Sequence, residues 1–231
     1  MRFGQNLQYF RKMRRGMTQE DLAERIGVSR QTISKWETGE AFPEIEKAME
    51  LCGIFSCTMD ALFREDMSAG SEAYTNLRIE KVKAFSYVRY SVISGEPEQD
   101  AIEHIRQWAN GNNLRKPDII GWDFPQVSQE QINVHHMHGY TAACILPEGF
   151  ESAINRLEVI RQPVQNYAAI TIRDPFKAPF ALIPNAYKTL MAYMQVNGLR
   201  HACSKGVIEC FEKQYVHEGV EHMDVWIALE G

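Results

Sequence analysis

Residues 18–39, TQEDLAERIGVSRQTISKWETG, constrain the fold of this chain more than any other stretch. Thr18, with Asp21 three residues on, reads as a helix N-cap in an acidic variant of the capping box. Leu22, Ala23 and Ile26 follow as an apolar stripe at helical spacing. Gly27 ends that helix, because glycine accepts the positive φ of a helix C-terminus. Val28 is the apolar residue such a turn buries. Ser29 then caps a second helix, in which Ile33 and Trp36 face inward. Arg30, Gln31, Thr32, Ser34 and Lys35 are left on the outer side. These side chains suit base edges and phosphates: Arg and Lys for guanine, Gln for adenine, Thr for a thymine methyl. Two short helices joined by a tight turn form the shape that lays one helix in the major groove of DNA.

The flanking residues carry a family likeness. LQYFRKMRRGMTQEDLA holds Arg11, Gly16, Thr18, Gln19, Leu22 and Ala23, and the run continues through Ser29, Ile33, Ser34, Trp36, Glu37, Gly39 and Pro43. With these residues, 1–66 resembles the Cro/CI-type (XRE) helix-turn-helix family of DNA-binding domains. The resemblance implies roles by position. Gln19 and Thr38 would hold phosphates. Arg30, Gln31, Thr32 and Lys35 would face the bases or their flanking phosphates, and Lys12 would pair with Glu37 to tie the first helix to the third. Charge favours the same side. Residues 1–35 carry eight Lys/Arg and three Asp/Glu, whereas 36–66 carry two and eight. A basic face supplies phosphate neutralisation and counterion release, and an acidic back stays off DNA.

The chain has 231 residues, 45% of them hydrophobic, and a net charge of −5, so global charge alone would not suggest a nucleic-acid partner. The length suits one large or two ordinary domains. There is no 18-residue apolar run, and the first 20 residues are polar and basic, so neither a membrane span nor a signal peptide is expected. Cys52, Cys57, Cys144, Cys203 and Cys210 have no CxxC spacing and read as reduced thiols of a cytoplasmic protein.

Five helices fit the first domain, at about 3–14, 18–26, 29–37, 44–52 and 58–64. Residues 67–78 read as a linker, with Gly70 among small residues and no apolar periodicity. From 79 the pattern changes. IEKVKAFSYVRYSVIS reads as one strand, EQDAIEHIRQWANGNNL as a helix, and IIGWDFP and QINVHHMHGYTAACILP as two more strands. The order repeats, with VQNYAAITIRDP as a strand, PFALIPNAYKTLMAYMQVNGL as a helix, and SKGVIECFEKQYV and HMDVWIALE as strands. WANGNNL at 108–114 and MQVNGL at 194–199 end the two helices alike. The fold class expected is therefore multidomain: an all-α five-helix domain followed by an α+β domain of duplicated βαββ units. One such unit cannot bury both its helix and its sheet. Two side by side make an antiparallel sheet with helices on one face and a cleft where the halves meet.

Residues 79–231 also resemble the GyrI-like effector-binding domains found at the C-terminus of AraC-type and MerR-type regulators, including multidrug sensors. VRYSVISGEPEQDAIEHIRQWA, IIGWDFP, GYTAACILP, VQNYAAITIRDPF, GVIECFE and MDVWIALE carry that likeness by their order. The resemblance implies a pocket glutamate in the penultimate strand, placed at Glu209, and cleft aromatics at Trp122, Phe124, Tyr140, Phe211 and Trp226. Phe211 stands where tyrosine is common. Aromatic faces hold a flat cation at about 0.5–2 kcal/mol each, and a buried carboxylate would neutralise it. His135, His136 and His138 invite a metal reading, but on a strand only 136 and 138 share a face. Half-exposed strand histidines are the plainer reading, and no metal or cofactor is expected.

The expected function is a ligand-responsive bacterial transcription regulator, binding double-stranded operator DNA as a homodimer, sensing a small cationic or aromatic effector, and not acting on a membrane. Two alternatives stand beside it. One is a small-molecule hydrolase of the GyrI-like type, using Glu209, a water and Tyr140. The other is a protein-interaction module, for which a flat apolar patch rather than an open cleft would argue.

Overall fold

Capping decides the helices of the first 63 residues. In the computed structural model, which describes residues 2–67, 71–150 and 157–231, these are α1 (Phe3–Met13), α2 (Gln19–Ile26), α3 (Arg30–Thr38), α4 (Ile45–Phe55) and α5 (Met59–Phe63). Each end lies within three residues of expectation. Thr18 Oγ1 accepts from the Asp21 amide at 3.1 Å, and Asp21 Oδ2 accepts from the Thr18 amide at 2.8 Å, which completes the capping box. Ser29 Oγ accepts from the Thr32 amide at 3.1 Å. Gly27 and Gly39 end α2 and α3 at φ of 71° and 77°. Phe3, Leu7, Phe10, Leu22, Ile26, Ile33, Trp36, Leu51, Phe55 and Leu62 form one buried core, each contributing about 1.5–3 kcal/mol on removal from water.

The chain divides into two units, Met1–Thr75 with Phe176–Arg200, and Asn76–Pro175 with His201–Gly231. A helix of the second half, α8 (Pro179–Val196), thus groups with the N-terminal helices. This corrects the expectation that both repeat helices belong to the sheet layer. Its side chains explain the placement. Val196 joins the N-terminal core. Tyr9 Oη donates to Thr189 Oγ1 at 3.3 Å, Arg15 Nε to Tyr193 Oη at 3.1 Å, and Asn197 Nδ2 to the Met13 carbonyl at 3.1 Å.

The second unit is built on β1 (Tyr74–Val82), β2 (Phe85–Ser94), α6 (Pro97–Gly111), β3 (Asp118–Asp123), α7 (Gln129–Asn133), β4 (His138–Ile145), β5 (Ile160–Gln162), β6 (Gln165–Arg173), β7 (Cys210–His217) and β8 (Val220–Ala228). The sheet order is β1-β6-β8-β7-β3-β4-β2-β5. The order β6-β8-β7 mirrors β3-β4-β2 across the β3–β7 seam, so the internal repeat is real. Two details differ from expectation. The long strand expected over 79–94 is two strands, β1 and β2, and β1 begins at Tyr74, inside the stretch read as linker. Each half's leading strand also crosses to the other half: β1 precedes β2 but pairs with β6, and β5 precedes β6 but pairs with β2.

That exchange fixes the shape of the sheet. Two residues separate β1 from β2, so Val82 and Phe85 lie within about 11 Å of each other. Yet their strands stand first and seventh in the order. The same holds for β5 and β6. The sheet must curl until its edges approach. Inside the curl lie Tyr87, Ile120, Tyr167, Phe211 and Trp226, and α6 covers the outer face through Ile105, Trp108 and Ala109 against Tyr140, Ala142 and Cys144. With both faces covered, β4 is buried from Gly139 to Cys144.

The histidine-rich stretch is not a strand. Ser128 and Gln131 form a second capping box that starts α7, and His136 takes a left-handed φ of 51°. β4 starts only at His138, so His136 and His138 share no strand face. All three histidines are exposed, and among the described residues they form no three-donor cluster.

Candidate nucleic-acid interface and effector pocket

The outer face of α3 presents Arg30, Gln31, Lys35 and Thr38, all exposed, with Thr32 and Ser34 half-buried beside them. Its inner face buries Ile33, Trp36 and Glu37. The anchor of this helix is an ion pair that the sequence reading assigned to the wrong cation. Arg11, not Lys12, reaches Glu37, with Nε at 2.6 Å from Oε1 and Nη2 at 3.0 Å from Oε2. Arg11 lies one turn beyond Leu7 on the buried face of α1, whereas Lys12 lies one turn beyond Gln8 and donates to its Oε1 at 3.1 Å. Burial pushes the Glu37 carboxyl up, but hydrogen bonds from Arg11 and Gln19 and the Arg11 charge outweigh it, and the group sits below its ordinary range. Gln19, expected on a phosphate, donates from Nε2 to Glu37 Oε2 at 2.9 Å. Thr38 Oγ1 donates locally, to the Lys35 carbonyl and to Glu40.

In the second unit a pocket of about 350 Å3 opens at the β3–β7 seam, between those strands and α6. Ile102, Arg106, Gly121, Tyr140, Glu212 and Gln214 are among the residues that line it. Cross-strand pairing shows which side chains share this face. Gly121 lies opposite Ala142 on one side and Glu212 on the other, and Asp123 lies opposite Tyr140. The Tyr140 hydroxyl occupies the space that a Cβ at Gly121 would take. Burial pushes that hydroxyl's pKa up, and the charges of Glu212, Glu98 and Asp123 push it further. Burial likewise raises Glu98, which accepts from Gln214 Nε2 at 3.0 Å, and Asp123. The pocket thus sets the Tyr140 hydroxyl beside Glu212, with Arg106 and the Lys213–Asp118 ion pair also in its lining and Glu98 and Asp123 near enough to act on the hydroxyl.

The other expected ligand residues lie elsewhere. Phe211 and Trp226 face each other across β7 and β8 and stack at 4.6 Å inside the curl, 4% and 6% exposed. They are core. The cation position over Trp226 is already filled by Arg78, 5.7 Å from the ring and paired with Glu80 and Asp224. Trp122, half-buried, packs against this same cluster, edge-on to Tyr87. Phe124 packs beside Gly139. Glu209 is exposed, just before β7 and outside the pocket. Glu209 and Glu212 stand three positions apart, so along a strand they leave opposite faces. Glu209 and Tyr140 thus form no catalytic pair, and the constellation the hydrolase alternative relied on is not assembled.

Comparison with known proteins agrees with the α3 geometry. Residues 7–62 match the HTH_3 Helix-turn-helix family. The HTH-type transcriptional regulator MJ0272 of Methanocaldococcus jannaschii is 39% identical over 57 residues, 25% of this chain and 85% of that protein. The chain belongs to the helix-turn-helix family. The HTH-type transcriptional activator BcrR of Enterococcus faecalis is 35% identical over 88 residues, 38% of this chain, and the match spans 43% of BcrR's own length. Among solved structures, EcmrR in its DNA complex aligns with a TM-score of 0.47 at 13% identity, over 92% of this chain and 81% of that one. Among the described residues no helix is long and apolar enough to cross a membrane.

Three residues of this helix-turn-helix protein escaped the sequence reading. Asn6 is fully buried and donates from Nδ2 to the carbonyls of Ala61, Leu62 and Glu65, closing the C-terminus of α5. Gly4 lies so close to α3 that a Cβ there would meet the Trp36 and Glu37 carbonyls. Glu212, rather than the expected Glu209, lines the seam pocket. The signal that would have found it is strand parity with the buried Phe211 beside it.

Proposed function

We propose that the protein is a ligand-responsive transcription regulator that reads operator DNA with α3 and senses an organic cation in the seam pocket. The observation that carries the DNA half is the exposed row Arg30, Gln31 and Lys35 on a helix whose back is fixed by Arg11 and Glu37. Gln31 supplies base contacts, and Arg30, Thr32 and Lys35 sit where they meet bases or phosphates. Domains of this shape act as dimers on half-sites about 34 Å apart, so a homodimer belongs to the reading. Glu212 replaces Glu209 as the carboxylate that would meet a cation, with Tyr140 supplying the aromatic face. A pocket of about 350 Å3 falls in the small-molecule range, which favours a compound over a flat protein partner.

Thioflavin T, a planar cation, and a neutral compound of similar size test the effector half on the full-length chain. The cation is expected to raise the melting temperature of the wild type, with the shift lost in Glu212→Gln and kept in Glu209→Gln. At a hundredfold excess over Kd the stabilisation is about 2.7 kcal/mol. Equal shifts with both compounds, or a shift that survives Glu212→Gln, would refute the cation reading and leave the α3 interface untouched.

A further inference from the structure

Outside the pocket and the DNA face, one cluster brings together three kinds of metal donor: the imidazole of His201, the thiol of Cys203 and the carboxylate of Glu209. Their ligand atoms all lie within 4.8 Å of one another. His201 Nδ1 and Cys203 Sγ are 3.7 Å apart. A tetrahedral zinc site with Zn–S near 2.3 Å and Zn–N and Zn–O near 2.0–2.2 Å has ligand-to-ligand edges of about 3.3–3.6 Å. At 3.7 Å the His–Cys edge is within about 0.1 Å of that range, and the edges to Glu209, no longer than 4.8 Å, are closed by its exposed and therefore mobile side chain.

The backbone beneath the three donors is fixed by β8. The Ala202 amide donates to the Ala228 carbonyl at 2.9 Å, the Ala228 amide donates to the Glu209 carbonyl at 2.8 Å, and His201 bridges Leu229. Ala202 is buried, so its neighbours His201 and Cys203, two residues apart in an extended segment, project to the opposite side. A tight turn joins the two arms. The Val207 amide donates to the Ser204 carbonyl at 3.1 Å, with Gly206 at φ of 85°, the positive φ that the third position of a type II turn requires. Cys203 stands at the entry of that turn and Glu209 two residues past its exit. A closed loop this short leaves little entropy to lose on binding.

We propose that His201, Cys203 and Glu209 form a binding site for a divalent transition metal of the zinc class. One thiolate, one imidazole and one carboxylate are the donor types zinc takes, and three protein ligands leave a fourth position for water or an incoming ligand. Softer or harder ions fit less well, because the set mixes sulfur, nitrogen and oxygen. The site lies apart from the seam pocket, and its occupancy is independent of the cation reading above.

Cobalt titration of the full-length, reduced protein tests this. One equivalent of Co2+ is expected to give a thiolate-to-metal charge-transfer band and tetrahedral visible bands, both displaced by one equivalent of Zn2+. Cys203→Ser is expected to abolish the charge-transfer band. Cys203→Ser and His201→Ala are each expected to weaken zinc binding by at least about a hundredfold, and Glu209→Gln on the order of tenfold. Circular dichroism of each exposed-site variant is expected to match wild type, which separates lost ligation from lost fold. Cys52→Ser and His135→Ala serve as controls and are expected to bind as wild type. The proposal is overturned if cobalt binds without the sulfur band, if the band survives Cys203→Ser, or if no metal is retained at one equivalent.

Discussion

Replacing Gly4 with alanine sets two effects of opposite sign against each other. Alanine is the better helix former, by about 0.5–1 kcal/mol in a helix interior and less in a first turn. Against this, a Cβ at position 4 would lie 2.5 Å from the Glu37 carbonyl oxygen and 2.6 Å from that of Trp36. Both oxygens are backbone, at the end of α3, and cannot swing aside as a side chain would. Contacts under 3.0 Å do not persist, so α1 and α3 must part by at least about half an ångström, and the Arg11–Glu37 bidentate pair spans the same interface. Overpacking of this kind costs about 1–3 kcal/mol. Gly4→Ala is therefore expected to destabilise by about 1–2 kcal/mol in urea unfolding followed by helical circular dichroism. Gly53→Ala is the paired control. Gly53 is exposed in α4 with nothing within 4 Å of its added Cβ, so propensity acts alone there and the variant is expected to gain about 0.5–1 kcal/mol. If Gly4→Ala stabilised the chain as Gly53→Ala does, the close crossing of α1 on α3 would be wrong, and with it the account of how the reading helix is held.

Three further outcomes are expected. Arg11→Met leaves the Glu37 carboxylate buried with its main partner gone, and is expected to cost about 3–5 kcal/mol at neutral pH. Because the folded Glu37 titrates below its ordinary value, the wild-type contribution is full above the unfolded pKa and fades as pH falls through the folded one, so the gap between the proteins in urea midpoint should narrow in acid; a gap constant from pH 7 to 3 would contradict the pairing. Gly121→Ala takes the space of the Tyr140 hydroxyl and should weaken thioflavin T binding while leaving DNA affinity as wild type; unchanged dye binding in calorimetry would place the dye elsewhere. Lys35→Ala is expected to lower the slope of log affinity against log salt on duplex DNA by about one if Lys35 meets a phosphate, and an unaltered slope with weakened binding would assign it to a base.

What the sequence made legible was what short-range chemistry decides. Thr18, Asp21, Gly27, Ser29 and Gly39 act on residues within four positions of themselves, so the helices of the reading head follow from the sequence almost to the residue. The repeat was legible for the same reason, since each half carries its own strand and helix periods. The exchange of β1 and β5 was not, because pairing partners more than 70 residues apart leave no mark on local alternation, and Val82, Lys83, Ala84 and Phe85 read as unbroken strand. Nor was the position of α8. Its apolar stripe announces a buried face without naming the surface that buries it, and Thr189, Tyr193 and Asn197 acquire meaning only beside Tyr9, Arg15 and Met13.

The choice between Glu209 and Glu212 shows how one residue of register separates two chemistries. A strand sends alternate side chains to opposite faces, so a motif aligned by spelling alone can select the wrong carboxylate and miss by a whole face. Phe211 supplies the arbiter. It is buried inside the curl, stacked on Trp226, so its neighbour Glu212 must emerge on the outer face at the seam, beside Tyr140 and beneath α6, in the pocket. Glu209 shares the parity of Phe211 but precedes the strand. There the chain has left the ladder after a tight turn, and the carboxylate meets an imidazole and a thiol instead of an aromatic ring. Measured side by side on the same protein, Glu212→Gln should act on the dye and not on cobalt, and Glu209→Gln on cobalt and not on the dye. A single variant that abolished both would mean the two sites are one, and the parity argument would fail.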